Sequence, residues 1–192
     1  MPSKDQESLN QFSSRPNERV DLLDGRTMWL SRATSVVAVI IAIESSTERR
    51  YFAIHRRGSA TPDHRGKWSL CCGYLDWNES LSQAAARETF QEIGLNLYDL
   101  ERKGYCTIPD QPYFVQSDPD LDTRQNISAR FLFELRVPAL PTLSVDHAEV
   151  GESEEPQWVE LTERNLAERT FAFNHGTVLR DICSLKGWDL GE

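Results

Sequence analysis

The stretch Thr34 to Ile43, TSVVAVIIAI, is nearly continuously apolar and rich in β-branched side chains. Such side chains favour extended backbone. A strand without polar alternation has no face to give to water, so it must be covered on both sides. That requirement excludes a one-sided sheet and calls for layers above and below the strand. The longest apolar run within it, Val36 to Ile43, is far too short to span a bilayer. The opening residues, MPSKDQESLNQ, are polar and lack the apolar core of a signal peptide, so a cytoplasmic location is expected.

The rest of the chain supplies those layers. Arg50 to Arg56 (RYFAIHR) alternates and predicts a half-buried strand antiparallel to the first. Arg57 to Lys67 carries Gly58, Pro62 and Gly66 among charges and reads as a loop, and Trp68 to Cys72 as a short strand. The Ala84-Ala85-Ala86 run supports a helix from about Ser80 to Ile93, stopped at Gly94. Further strands are expected around Lys103 to Ile108, Tyr113 to Gln116, Ile127 to Val137 and Gln157 to Leu161. Ser117 to Arg124 and the acidic stretch Pro138 to Pro156 read as loops. A short helix capped by Thr162 runs to Arg169, and a last one covers Phe173 to Leu185. Residues 1–30 are expected to form an N-terminal arm, either partly mobile or docked through Val20 to Leu23 as a short strand or helix, and 31–192 one domain.

The net charge of −9 argues against a nonspecific nucleic-acid binder, which would present a basic face. It leaves a phosphorylated small molecule open, because a bound cation inverts the local field. Cys71, Cys72, Cys106 and Cys183 show no zinc spacing and read as reduced core residues. His55, His64, His147 and His175 are scattered and default to core or surface roles. Nothing in the sequence excludes a homodimer.

The segment that carries chemistry is Gly73 to Leu95, GYLDWNESLSQAAARETFQEIGL. Glu88 and Glu92 are four apart, so a helix sets them on one face one turn apart, with Gln91 beside them. Converging carboxylates repel unless a cation sits between them, and hard oxygen donors suit magnesium or manganese. Arg87 points elsewhere and can pair with Glu79 near the helix start. Glutamates spaced by four also occur on ordinary solvated helix faces, so the pair alone does not decide the matter.

The whole segment resembles the Nudix box: glycine, five residues, glutamate, seven residues, arginine-glutamate, an aliphatic residue, any residue, two glutamates, any residue, glycine and an aliphatic residue. Gly73, Glu79, Arg87, Glu88, Glu92, Gly94 and Leu95 hold the matching positions, seven over 23 residues. The resemblance implies an α/β fold, a Nudix-type α/β/α sandwich with a mixed β-sheet and the box helix. It implies magnesium-dependent (or manganese-dependent) hydrolysis of a diphosphate link in a nucleoside-diphosphate-type small molecule, such as ADP-ribose, a nucleotide sugar or a dinucleoside polyphosphate. Glu88, Glu92 and the Gly73 carbonyl would then be metal ligands, with Arg87 and Glu79 holding the box together. Thr89 stands in place of the aliphatic residue, and Gln91 in place of the first of the two glutamates. A glutamine offers no charge, so a carboxylate from Glu149, Glu152, Glu154 or Glu155 is the expected compensation. The alternative is a nucleotide-binding sensor with weak or no turnover. An RNA-end substrate is disfavoured by the acidity.

Candidates for stacking a base are Tyr74, Trp77, Trp68 and Tyr113. Candidates for phosphate contact are Arg56, Arg57, Arg65, Lys67, Arg124 and Arg130. Pro112 and Tyr113 lie near positions that mark substrate subclasses in the family, but neither selects one.

Overall fold

The computed structural model describes residues 18–30, 34–118 and 126–191. Arg124 lies outside them. The apolar run becomes β3 (Thr34–Glu44), the spine of a seven-stranded mixed sheet. On one edge β3 runs parallel to β8 (Asn126–Val137), in register from Thr34–Ile127 to Glu44–Val137. The other edge is shared. The C-terminal end of β3 pairs antiparallel with β4 (Arg50–Arg57), and its N-terminal end pairs with β6 (Cys71–Tyr74). β7 (Phe114–Asp118) flanks β8, while β5 (Trp68–Ser69) and β9 (Ser153–Glu160) pair with β4. β1 (Glu18–Asp21) and β2 (Thr27–Leu30) form a separate antiparallel pair.

The period of two along β3 builds both cores. Val36, Ala38, Ile40 and Ala42 pack with Ala84, Ala85, Ala86 and Ile93 of α1 (Leu81–Ile93). Val37, Val39, Ile41 and Ile43 pack with Leu166 of α3 (Glu163–Ala167) and with Val178, Leu179 and Ile182 of α4 (His175–Lys186). Each fully buried Val or Ile contributes about 1.5–3 kcal/mol. The result is the α/β/α sandwich with a mixed sheet and the box helix on one face. Thr162 caps α3 as expected, accepting from Asn165 N–H. All four cysteines are free thiols. No helix among the described residues is long and apolar enough to cross a membrane.

Three segments depart from expectation. Lys103 to Ile108 is not a strand. Asn96 caps a short helix, α2 (Leu97–Arg102), which buries Leu97 and Leu100 at helical spacing, and Lys103 ends it. The acidic stretch ends sooner than expected, because β9 begins at Ser153 and takes in Glu154, Glu155 and Pro156. Proline is tolerated there because β9 pairs with β4 alone and shifts register between Ile54 and Arg56, a bulge at which Glu155 takes a φ of 48°. Phe173, with a φ of 49°, precedes the last helix and does not start it.

Candidate active site

The loop from β6 into α1 is tied by one arginine. Arg87 donates Nε–H to Glu79 Oε2 at 3.0 Å and Nη2–H to Glu79 Oε1 at 2.7 Å and to the Tyr74 carbonyl at 2.9 Å. Glu79 also accepts from Asp76 N–H at 2.6 Å. Both helix ends are fixed, by a capping box of Ser80 and Gln83 and by left-handed Gly94. Arg87 does not turn away from Glu88, as its place on the helix suggests. Its long stem lets Nη1 reach Glu88 Oε1 at 2.7 Å and Gln91 Oε1 at 2.9 Å. Burial disfavours its charge, but the bonds to Glu79 and the fields of Glu88 and Glu79 outweigh that and raise its pKa.

Glu88 and Glu92 are both buried. Burial, opposed by Arg87 and reinforced by Glu92 and Glu152, pushes the Glu88 carboxyl up to about 8. Glu88 lies against the bare Cα of Gly73, where an added Cβ would meet Glu88 Oε1 at 2.1 Å. Gly73 is therefore required for room. Gly73→Ala is expected to leave the fold intact while displacing the Glu88 carboxylate, with metal affinity and turnover falling about 10- to 100-fold. A calorimetric metal titration checks this, and unchanged affinity would count against it.

Glu92 Oε2 accepts from Cys72 N–H at 2.8 Å, with His55 Nε2 3.4 Å away. His55 is wholly buried, and among the described residues neither ring nitrogen has a hydrogen-bond partner. The acidic stretch is pinned at both ends. Ser144 N–H donates to the Ile93 carbonyl at 3.0 Å, and His147 stacks on Phe90. Gly58 N–H donates to the Glu152 carbonyl and Ala60 N–H to the Gly151 carbonyl, both at 2.8 Å. This clamp places Glu149 and Glu152 at the site. Burial, then Glu92 and Glu149, raises the Glu152 pKa. Glu154 and Glu155 are exposed in β9, where Glu155 accepts from Arg56 at 3.1 Å.

These donors suit a hard divalent cation: they are carboxylate oxygens, and burial raises the pKa of Glu88 even against the charge of Arg87. Among the described residues no three His, Cys, Asp or Glu side chains stand ready to enclose an ion. The sign of the pH dependence follows. Between the ordinary 4.5 and about 8, folded Glu88 keeps a proton that the unfolded chain has released. Metal-free stability therefore falls as pH rises through that window, by roughly 1.4 kcal/mol per pH unit for one such group. Melting curves in EDTA should decline from pH 5 to 8, and magnesium should reverse the decline. A flat metal-free profile would contradict it.

A cavity of about 510 Å³ opens beside Glu92, Glu149 and Glu152 and also takes in Arg57, Arg130 and Tyr74. Arg57 Nη2–H donates to Asp63 Oδ1 at 2.8 Å, and Arg130 donates to Gln116 Oε1. The other sequence candidates fall elsewhere. Trp77 is exposed and does not line the cavity. Trp68 and Tyr113 pack against the second core. Arg56 lies over Trp68, Arg65 donates to the Thr61 carbonyl, and Lys67 approaches His64 Nδ1 at 3.3 Å. Sequence reasoning passed over Phe173, His64 and His175, which all line the cavity. Spacing gives no hint of this, since the loop before β5 and the start of α4 bring them in from two distant segments.

Comparison with known proteins adds to this geometry. The NUDIX domain family model matches residues 34–182. Nudix hydrolase 3 of Caenorhabditis elegans is 32% identical over 75 residues, which is 39% of this chain and only 31% of that protein's length. A C. elegans Ap4A hydrolase, solved as a binary complex, aligns with a TM-score of 0.57 at 19% identity, covering 81% of this chain and 98% of that one. The NUDIX domain of Shewanella oneidensis NrtR, solved with ADP ribose, aligns with a TM-score of 0.55 at 14% identity, covering 81% and 88%. Both structural likenesses speak to the fold.

Proposed function

The chain belongs to the NUDIX domain family, and from that premise we propose that it hydrolyses the diphosphate link of a nucleoside-diphosphate-type small molecule with a divalent metal. The observation that carries this reading is the buried Glu88–Glu92 pair, of which Glu92, with Glu152 and Gly73, lines a cavity that also presents Arg57 and Arg130 while Glu88 lies directly behind Gly73. Glu88, Glu92 and the Gly73 carbonyl are the groups that would hold the metal. When bound, magnesium offsets charge on the diphosphate and makes water a better nucleophile. Arg87 and Glu79 are positioning residues, because their bonds lie within the loop and helix. Cys72 N–H holds one oxygen of Glu92, leaving the other to the site. Glu152 supplies the charge that Gln91 lacks and is the candidate to take a proton from the attacking water. Arg57 and Arg130 orient the phosphates. Tyr74, whose hydroxyl accepts from Asn126 at 3.1 Å, is the sequence-derived aromatic that remains at the cavity.

One observation favours a second reading, a nucleotide sensor without turnover: Gln91 is uncharged and its oxygen is held by Arg87. A panel of ADP-ribose, nucleotide sugars, dinucleoside polyphosphates and nucleoside triphosphates, assayed with and without magnesium or manganese, separates the two. Metal-dependent turnover of any member supports the hydrolase, and binding without turnover supports the sensor. Within the hydrolase reading, Gln91→Glu should raise magnesium affinity and Glu152→Gln should lower turnover about 10- to 100-fold. Affinity unchanged by Gln91→Glu would mean that Glu152 already fills the position.

A further inference from the structure

We propose that the cavity contains a metal-independent anion site, formed by His175, Arg57 and Arg130, that grips a phosphate oxygen of the substrate. It rests on the reading of this cavity as the substrate site.

His175 is the key to it. Its Nδ1 accepts from Leu70 N–H at 3.1 Å, with the Ser69 hydroxyl, which donates to the Leu70 carbonyl at 2.8 Å, also 3.2 Å from Nδ1. A backbone N–H can only donate, so Nδ1 is the bare nitrogen and the ring proton sits on Nε2. The side chain is 2% exposed, yet it lines the cavity, and Nε2 has no protein partner among the described residues. A donor on a side chain this enclosed, reachable from the cavity and left without a protein partner, is free to meet the acceptor of a ligand. Burial first, then the charges of Arg57, His55 and Arg130, lowers the pKa of His175 to about 3. It is therefore a neutral, fixed donor at any ordinary pH.

Its neighbours choose the acceptor. Arg57 and Arg130 line the same cavity and are mostly buried; Asp63 pairs with Arg57 at 2.8 Å, and Arg130 is held by Gln116 and by the Asp181 carboxylate at 3.7 Å, which leaves each guanidinium further N–H groups for a ligand. His175 also opens α4, a helix of 12 residues whose N-cap, Asn174, makes no side-chain cap bond. The positive end of that helix thus adds to the two guanidinium charges. A neutral acceptor such as a carbonyl or ring nitrogen would be served by His175 alone. Two arginines and a helix start around one fixed N–H suit a phosphate oxygen. The carboxylates need a metal before they can face a phosphate, whereas this group does not.

The test uses the full chain in EDTA with inorganic pyrophosphate as the probe, followed by calorimetry. Wild type should bind without metal. Arg130→Gln and His175→Phe should each weaken binding by about tenfold or more, the scale of one charge-assisted or buried hydrogen bond. His175→Gln, whose amide can accept from Leu70 and donate into the cavity, should stay within about threefold. Arg130→Gln leaves the Leu70 contact untouched, so it decides the matter if His175→Phe fails to fold. Glu92→Gln, which lacks turnover on the reading above, should keep metal-free binding. Absence of metal-free binding by wild type, or wild-type binding by Arg130→Gln, overturns the site. Pyrophosphate binding without hydrolysis of any panel member leaves the anion site standing and removes the hydrolase reading. Metal-dependent turnover with no metal-free binding does the reverse.

Discussion

Glu92→Gln is expected to lower metal-dependent turnover on the order of a thousand-fold, the scale of removing one electrostatic group at a reacting centre. The fold should persist. A glutamine carbonyl can still accept from Cys72 N–H, the bond that Glu92 makes at 2.8 Å. Glu92 also contributes to the raised pKa of Glu88 and of Glu152, so removing its charge relieves both. Metal-free melting should therefore stay level or rise while kcat/KM collapses. A structural role would give the opposite pattern, with stability and activity lost together. Near-normal turnover with unchanged melting would remove Glu92 from the metal site.

Arg87→Met should have the largest effect on stability. The guanidinium makes four charge-assisted bonds to Glu79, Glu88 and Gln91 and a fifth to the Tyr74 carbonyl. The Glu79 side chain is wholly buried and that of Glu88 nearly so. Methionine fills the stem's space but leaves both carboxylates without a counter-charge. Breaking a buried pair in this way costs about 3–5 kcal/mol. For a chain of this size that lowers the melting temperature by roughly 10 °C. The loss should shrink toward pH 5, where the stranded carboxyls can take up protons. Glu79→Gln in the same chain should restore part of the stability. A melting point within a degree or two of wild type would mean that Arg87 does not organise the loop.

The sequence carried the sheet's spine and the box, because both are written locally. An eleven-residue strand with alternate residues on two cores needs only its own period to be recognised. The Arg87–Glu79 pairing was also legible, since Glu79 stands just before the cap of the helix that carries Arg87. What spacing could not give was the return of Arg87 Nη1 to Glu88, which depends on the conformation of a long stem. Nor could it choose among four glutamates. The choice of Glu149 and Glu152 follows from a long-range clamp, in which a Cβ at Gly58 would meet the Gly151 carbonyl at 2.2 Å. His64 and His175 looked scattered because they meet at the cavity, across Phe173, only through the placement of a loop and the start of α4. The missed helix at Leu97–Arg102 was signalled by Asn96 as a cap, but the apolar residues after it, Tyr105 to Ile108, mimic a strand.

The central claim is that Glu88 and Glu92 form a divalent-metal site in this chain. Manganese binding at pH 7.5, followed by electron paramagnetic resonance in wild type and in Glu92→Gln at matched protein concentration, tests it without reference to any substrate. Wild type should bind manganese saturably, and Glu92→Gln should lose that binding or show it greatly weakened, with both proteins equally folded. Equal manganese binding by the two would contradict it.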